Sequence, residues 1–406
     1  MTKMCRHCGA PLILNFLDLG RTPPSNAYLR RENLDQPEPV FPLRLKVCSN
    51  CRLVQTEDFT PADHLFTDDY AYFSSTSSSW VEHAAGYAQM IIKRLRLGPE
   101  SHVIEVASND GYLLKNFVSA GISCLGIEPT ASTAARAREL GIEVMEAFFG
   151  EDMAGRLAPA DLIIGNNVYA HVPDINDFTR GLRQALKPTG IVTLEFPHLM
   201  RLVEFNQFDT VYHEHFSYLS LFSVEKIMAT AGLRVFDIEE LTTHGGSLRI
   251  YACRTEAPYE ICSAVENLRA EEAKRGMNTD AYYSAFQPRA EQVRDSFVTF
   301  LKQAYTKGQR VAAYGAAAKG NTLINFSGVT STLLPFVCDA ANAKIGKFLP
   351  GSHIPVFAPD KLRTDRPDYV IILPWNIAAE VKAQLADLAA DGTRFVTFVP
   401  EKRISA

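Results

Sequence analysis

A chain of 406 residues, 47% hydrophobic and 21% charged, has ordinary globular composition and enough length for two or three domains with buried cores. A formal charge of -5 and the lack of any basic run leave no electrostatic pull toward nucleic acid, which excludes it as an expected partner. No stretch approaches the roughly 18 to 20 apolar residues of a bilayer span, and Met1-Thr2-Lys3-Met4-Cys5 has no apolar signal core, so a cytoplasmic protein without membrane partners is expected.

Cys5-Arg6-His7-Cys8-Gly9 and Cys48-Ser49-Asn50-Cys51 are two CxxC knuckles, each a tight turn that points two thiolates at one metal. Together they predict a closed tetrahedral site for one structural Zn2+, with no coordination position left for water or substrate. A redox or disulfide role is the weaker reading for two matched pairs. Cys124, Cys253, Cys262 and Cys338 are scattered and read as reduced core residues. Between the knuckles, Leu17 to Gly20 and Pro23 to Asn26 read as irregular loop and Leu43 to Val47 as a short alternating strand, with metal in place of a hydrophobic core. A zinc-binding domain is expected over residues 1–75.

Asp69 to Trp80 interleaves aromatic rings with a run of serines and leads into a helix starting near Ser79. Rings and hydroxyls able to meet the flat and polar parts of a ligand suggest a lid, and a plain domain connection is nearly as good a reading.

From His102 strands and helices alternate. Strands are expected at Val103 to Ala107, Cys124 to Ile127, Ile142 to Met145, Leu162 to Gly165 and Ile191 to Phe196. Helices are expected at Tyr112 to Ala120, from a Ser132 cap to Leu140, and at Asp174 to Leu186. This is the pattern of a doubly wound α/β domain, expected over 76–255. Glu128, closing the second strand, stands where such folds bind a ribose diol. The turn Ser108-Asn109-Asp110-Gly111 lacks GxGxxG, which disfavours a dinucleotide and favours an adenosine cofactor without diphosphate, such as S-adenosylmethionine.

The fourth strand runs into Asn166-Asn167-Val168-Tyr169-Ala170-His171, so topology sets His171 at the ligand crevice. Val211-Tyr212-His213-Glu214-His215-Phe216-Ser217-Tyr218 then gathers two imidazoles, a carboxylate and two phenols in eight residues, the equipment of a general base. HExxH spacing is absent, so proton transfer ranks ahead of metal binding. Val235 to Ile238 and Ser247 to Cys253 read as an antiparallel pair, joined through Thr242-Thr243-His244-Gly245-Gly246, whose glycines permit close backbone approach to a ligand.

A long helix over Tyr282 to Lys307 precedes a second α/β unit, expected within 256–406. Its strands are Val311 to Tyr314, Phe336 to Asp339, Tyr369 to Leu373 and Phe395 to Phe398. The small-residue turn Gly315-Ala316-Ala317-Ala318-Lys319-Gly320-Asn321-Thr322 lets main-chain NH groups meet an anion, with Lys319 as a charge partner.

Knuckles, degenerate cofactor turn, YHEH segment and second α/β unit occur in one order, and in this the sequence resembles the zinc-containing, S-adenosylmethionine-dependent sugar C-methyltransferases over essentially its whole length. Glu105 to Gly111, Gly126-Ile127-Glu128-Pro129, Tyr212 to His215 and Tyr314 to Asn321 carry the resemblance. It implies an α/β protein with an N-terminal zinc-binding domain, a central Rossmann-like class I methyltransferase domain and a C-terminal second Rossmann-like domain that binds nucleotide-sugar. The implied substrate is a nucleotide-linked 4-keto deoxysugar, methylated beside the ketone at C3 or C5. Implied catalytic residues are His215, Glu214, Tyr212, His171 and a lid tyrosine, Tyr72 or Tyr70. Implied cofactor contacts are Glu105, Ala107, Asn109, Gly111, Glu128, Pro129 and Asn166, and implied substrate contacts are Tyr70, His244, Tyr314, Lys319 and Asn321. His215 is expected to act as base, oriented by Glu214. A nicotinamide-dependent sugar oxidoreductase and a zinc-ribbon RNA methyltransferase or binding protein are the alternatives, disfavoured by the missing GxGxxG and by charge. The sequence leaves the oligomeric state open, a monomer being the simplest case.

Overall fold

The computed structural model describes residues 3–57 and 73–405. The N-terminal strands are β1 (Leu14–Thr22), β2 (Phe41–Val47) and β3 (Val54–Thr56). The central strands are β4 (His102–Val106), β5 (Ser123–Ile127), β6 (Glu143–Met145), β7 (Ala160–Asn166), β8 (Leu186–Pro197), β9 (Ser217–Tyr218), β10 (Leu233–Leu241) and β11 (Ser247–Arg254). The C-terminal strands are β12 (Val311–Tyr314), β13 (Val337–Cys338), β14 (Val356–Phe357), β15 (Tyr369–Ile372), β16 (Arg394–Thr397) and β17 (Arg403–Ser405). They form three sheets, ordered β1-β2-β3-β9, β10-β11-β8-β7-β4-β5-β6 and β14-β13-β12-β15-β16-β17.

In the central sheet β4 to β8 run parallel and β11 lies antiparallel between β8 and β10. β4 lies between β5 and β7, so the chain reverses direction of winding there and opens a crevice above the strand ends. The C-terminal sheet repeats this logic, with β12 between β13 and β15. Its crevice is walled by the turns that follow Tyr314 and Ile372. Strands covered on both faces read as continuous apolar runs, which is why Val103–Val106 and Val311–Tyr314 were legible. Helices follow their caps. Asp174 accepts from the Asn176 and Asp177 amides at 3.1 and 2.9 Å and starts Ile175–Ala185, whose buried Ile175, Phe178 and Leu182 share one face.

The N-terminal sheet is completed by β9, which lies directly after the His213-Glu214-His215 run. Val54 pairs with Tyr218 and Gln55 with Ser217, the Thr56 amide donates to the Phe216 carbonyl at 3.1 Å, and the Phe216 amide donates to the Ala170 carbonyl at 2.8 Å. The zinc-ligand segment and the two histidine-bearing loops are thus one hydrogen-bonded structure. A single apolar core runs through all three parts, from Leu17 and Leu43 through Phe196 and Phe208 to Phe297 and Leu373. At its N-terminal end Phe16 stacks on Phe286, centroids 4.8 Å apart, and meets the edge of Tyr283.

Several expectations need correction. Leu17 to Gly20 is strand: shifts of register between Asn15 and Leu17 and between Asp18 and Arg21 hide the period-two pattern of β1. The helix expected from Tyr112 shrinks to Lys115–Ser119, because residues 111–114 form turns at the crevice. The cap position before Ala131–Glu139 is Thr130, not Ser132. The long helix is two, Asp280–Ser284 and Phe286–Thr306. β3, β9, β14 and β17 are too short to show periodicity. Tyr70 and Tyr72 lie outside the described residues. Among the described residues, no helix is long and apolar enough to cross a membrane.

Phe16→Ala removes the ring that joins β1 to the helix carrying Phe286. Because a buried phenylalanine costs about 3 to 5 kcal/mol when truncated, denaturant unfolding should show a loss of that size. A loss under about 1 kcal/mol contradicts this packing role.

Candidate active site

The four knuckle cysteines bring their Sγ atoms within 4.8 Å of one another, with Cys5 to Cys51 at 3.5 Å and Cys8 to Cys48 at 3.4 Å. A tetrahedral zinc with bonds of about 2.3 Å sets sulfurs about 3.8 Å apart, so the donor set fits one Zn2+. Gln55 Nε2 donates to Cys5 Sγ at 3.2 Å, a bond that suits a thiolate. His7 faces Asn176, its Nδ1 2.7 Å from Oδ1, and the cysteine set is complete without it. Gln55 is also a rung of the β3–β9 pairing, so a neighbour of the metal site pairs with the strand that follows His215.

Above β4, β5 and β7 the chain is bent into unusual backbone. Ala107 and Asn109 have φ of 58° and 50°, and Asn167, after β7, has 54°. Gly111 has φ 77°, and a Cβ there would stand 2.4 Å from Ile142 Cδ1. At Gly126 a Cβ would stand 2.5 Å from Ser108 Oγ, so glycine lets the turn close on β5. Glu128 holds the turn: its carboxylate accepts from the amides of Asn109 and Thr130, each at 3.0 Å. Asn109 Oδ1 and Asp110 Oδ2 accept from the Ser74 and Ser75 amides at 2.9 and 3.1 Å, docking the end of the serine-rich loop on this turn. Buried polar atoms remain without a partner among the described residues: Glu105 Oε2, Ser108 Oγ, Asp110 Oδ1 and both ends of the Asn166 amide. Burial, then the nearby Glu128 and Asp110, push the Glu105 carboxyl well up. Glu128 and Asp110 beside a Glu105 whose ionisation burial opposes make a crevice poor for a diphosphate and suited to a ligand carrying an ammonium, a sulfonium and ribose hydroxyls. The donor set therefore fits S-adenosylmethionine.

The histidines meet at the next strand end. His171 Nδ1 lies 2.8 Å from the Glu214 carbonyl and His215 Nδ1 lies 3.1 Å from the Thr210 carbonyl. A carbonyl only accepts, so both rings carry their proton on Nδ1 and a lone pair on Nε2. The rings stand edge to face at 4.5 Å, and Tyr212 packs 4.0 Å from His215. Burial holds His171 down to about 4, and burial followed by the charge of His171 holds His215 well below its ordinary value. Both imidazoles are neutral at neutral pH. His213 is directed elsewhere, against the edge of Phe41, with neither ring nitrogen partnered among the described residues. The Thr210 carbonyl orients His215. Glu214 does not, because its Oε1 accepts from Asn26 Nδ2 at 3.1 Å.

The remaining expected residues divide. Lys319 Nζ donates to Asn376 Oδ1 at 2.9 Å and stands 4.5 Å over the Trp375 ring. Its charge also helps hold down His215 and His244. His244 has Nε2 3.2 Å from Asn167 Nδ2 and packs 5.1 Å from Trp80. The close approach permitted by Gly245 is to Trp375, whose Cη2 would be 2.4 Å from a Cβ. Asn321 Nδ2 donates to the Ser25 carbonyl at 2.6 Å, bracing an N-terminal loop, and Tyr314 packs its ring in the C-terminal core while its hydroxyl donates to exposed Gln384 Oε1 at 3.2 Å. Sequence reasoning missed Asn26, Asp209 and Trp375. Asp209 Oδ2 accepts from Trp375 Nε1 at 2.8 Å, and burial raises this carboxyl to about 6. No spacing motif marks these three, because the contacts join segments far apart in the chain.

Metal analysis of protein prepared without chelator should return about one Zn per chain, as a closed set of four thiolates requires. Protein free of metal yet fully folded contradicts the assignment.

Three family models match in chain order: a zinc binding domain over residues 5–66, a methyltransferase domain over 80–238 and a C-methyltransferase C-terminal domain over 242–400. The C-methyltransferase NovU of Streptomyces niveus is 34% identical over 404 residues, 98% of this chain and 96% of that protein. Among solved structures, an S-adenosylmethionine-dependent methyltransferase of Clostridium acetobutylicum aligns with 43% of this chain and 92% of its own, at 10% identity and a TM-score of 0.34. One from Thermotoga maritima aligns with 48% of this chain and 99% of its own, at 17% identity and a TM-score of 0.35. With a relative at that identity along nearly its whole length, the chain belongs to the S-adenosylmethionine-dependent C-methyltransferases that carry an N-terminal zinc-binding domain.

Proposed function

We propose that the enzyme methylates a nucleotide-linked 4-keto deoxysugar on the carbon beside its ketone, C3 or C5, in cytoplasmic deoxysugar biosynthesis, with His215 as the base. The observation that carries this reading is the facing pair His171 and His215, each with Nδ1 on a carbonyl and Nε2 basic. A carbon beside a ketone becomes nucleophilic only on losing a proton, which demands a neutral base and a stabiliser for the oxygen that gains charge. His215 Nε2 takes the proton, and the electron pair of the broken C–H bond moves into the carbon skeleton and leaves negative charge on the ketone oxygen. Tyr212, His171 and the Lys319 ammonium are the groups beside that oxygen. Bound S-adenosylmethionine supplies an electrophilic methyl to the activated carbon.

Glu105, Ala107, Asn109, Gly111, Glu128, Pro129 and Asn166 would hold the cofactor in the crevice above β4, β5 and β7. We assign nucleotide-sugar binding to the C-terminal unit, residues 256–406, through Lys319 and Asn321, with His244 of the central part joining them. Residues 1–75 carry the zinc and 76–255 the methyl-transfer chemistry. Burial of the unit's turn against Pro374 and Trp375 supports a preformed cleft.

A panel of nucleotide-linked 4-keto deoxysugars, with products read by mass spectrometry, tests the substrate class, and no methylated product from any member defeats it. With S-adenosylhomocysteine bound, the wild type should wash deuterium from heavy water into the substrate. His215→Gln should abolish that exchange and slow methylation by about 10² to 10⁴ with both ligands still bound. Exchange that survives moves the base to His171 or His213. Because burial depresses His215, the acid limb of kcat/KM should lie below about 6.5, the ordinary histidine value. A limb at or above that value removes His215 in its neutral form from the role.

A further inference from the structure

Glu214 is 2% exposed, and among the described residues Asn26 is the side chain that donates to its carboxyl. The second oxygen, Oε2, is buried and without a partner. No arginine or lysine pairs with the group among the described residues, and burial raises its pKa. A buried carboxyl held at one oxygen is a group prepared for a partner that arrives later, and the direction it faces depends on what holds the first oxygen.

Asn26 is exposed and comes from a loop between β1 and β2 that is fixed by other means. The Ala27 amide donates to the Pro24 carbonyl at 3.1 Å and the Tyr28 amide to the Asn26 carbonyl at 3.0 Å, closing a tight turn. Asn321 Nδ2 holds the Ser25 carbonyl, the Tyr28 hydroxyl donates to the Ala316 carbonyl, and Leu29 and Phe348 exchange backbone bonds at 3.0 and 2.9 Å. The C-terminal unit therefore sets where Asn26 stands, through main-chain and neighbouring contacts. The carboxamide adds nothing to that fixation, and its contact is with Glu214.

We propose that Asn26 is a positioning residue of the methyl-transfer site: through its bond to Oε1 it fixes the plane of the Glu214 carboxyl and leaves Oε2 for the substrate. The proposal rests on the reading above in placing Glu214 at the sugar. All three parts of the chain then contribute to one centre: the zinc-bearing part supplies the carboxamide, the central part supplies Glu214 and the histidines, and the C-terminal unit supplies the anchor for the loop.

Two measurements test it. In ligand-free protein, the infrared difference between wild type and Glu214→Gln isolates the Glu214 carboxyl bands. Asn26→Ala should move those bands, while Asn26→Gln, which keeps an amide donor at an open rim, should restore them. Bands unmoved by Asn26→Ala overturn the proposal. In turnover of thymidine- and uridine-diphosphate-linked 4-keto-6-deoxyhexoses, Asn26→Ala should lower kcat on the order of tenfold, with S-adenosylhomocysteine affinity unchanged. In a Glu214→Gln background the same change should cost less than about twofold, since a residue that acts through Glu214 has nothing left to position. Equal losses in both backgrounds also overturn it. Bands that move in an enzyme that turns over none of these sugars leave the positioning role standing and sink the 4-keto sugar assignment.

Discussion

The pairing of β3 with β9 is the constraint on which the rest depends. Two rungs, Val54 with Tyr218 and Gln55 with Ser217, tie the strand that leaves the Cys48-Cys51 knuckle to the strand that leaves His215. Extension through Thr56, Phe216 and Ala170 brings in the loop of His171. A short sheet of this kind is marginal alone, and two things make it rigid: the apolar core that reaches Phe16, Leu17 and Leu43, where metal alone was expected, and four cysteines around one ion. A metal site with no open coordination position thereby acts on chemistry it never touches: it fixes the backbone from which the imidazoles project.

The histidines show how burial and a single hydrogen bond divide the roles of like residues. His213 and His215 are two apart, and in extended chain they would share a face. The turn between them, closed by the His215 amide on the Tyr212 carbonyl at 3.0 Å, sends one ring to Phe41 and the other to His171. Carbonyl partners at Nδ1 then choose the tautomer, and exclusion of water keeps the rings uncharged. A neutral imidazole within reach of the Lys319 charge is the combination that the proposed enolate formation would need, because the charge that develops on oxygen finds a cation while the base stays able to accept. Asp209 and Trp375 keep that ammonium in place, Trp375 by its ring under Lys319 and Asp209 by charge.

The cofactor crevice uses opposite means. Backbone in the left-handed region at Ala107, Asn109 and Asn167 costs energy, which the surrounding sheet and the Glu128 braces offset. The result is a turn without the glycine-rich cradle of a diphosphate site and with Glu105, Asp110 and Glu128 gathered beside it. Docking of Ser74 and Ser75 on the same turn ties the residues that lead into the first helix to the crevice.

Much of this was legible in the sequence for definite reasons. Ligand spacing is local, so Cys5, Cys8, Cys48 and Cys51 announced a metal site. Buried parallel strands are continuous apolar runs, so both α/β units and the crevice position of His171 could be placed. The YHEH segment stood out by composition as a candidate for proton transfer. What the tertiary structure decided is everything that depends on contacts across long stretches of chain: that β9 joins the N-terminal sheet, that Thr210 rather than Glu214 orients His215, that Asn26 reaches Glu214, and that Tyr314 turns into the C-terminal core while Lys319 lies against Trp375. Residue type and spacing determine which chemistry a segment can perform. Which atom faces which is settled only when the core packs, because one common apolar interior fixes the rotation of all three parts at once.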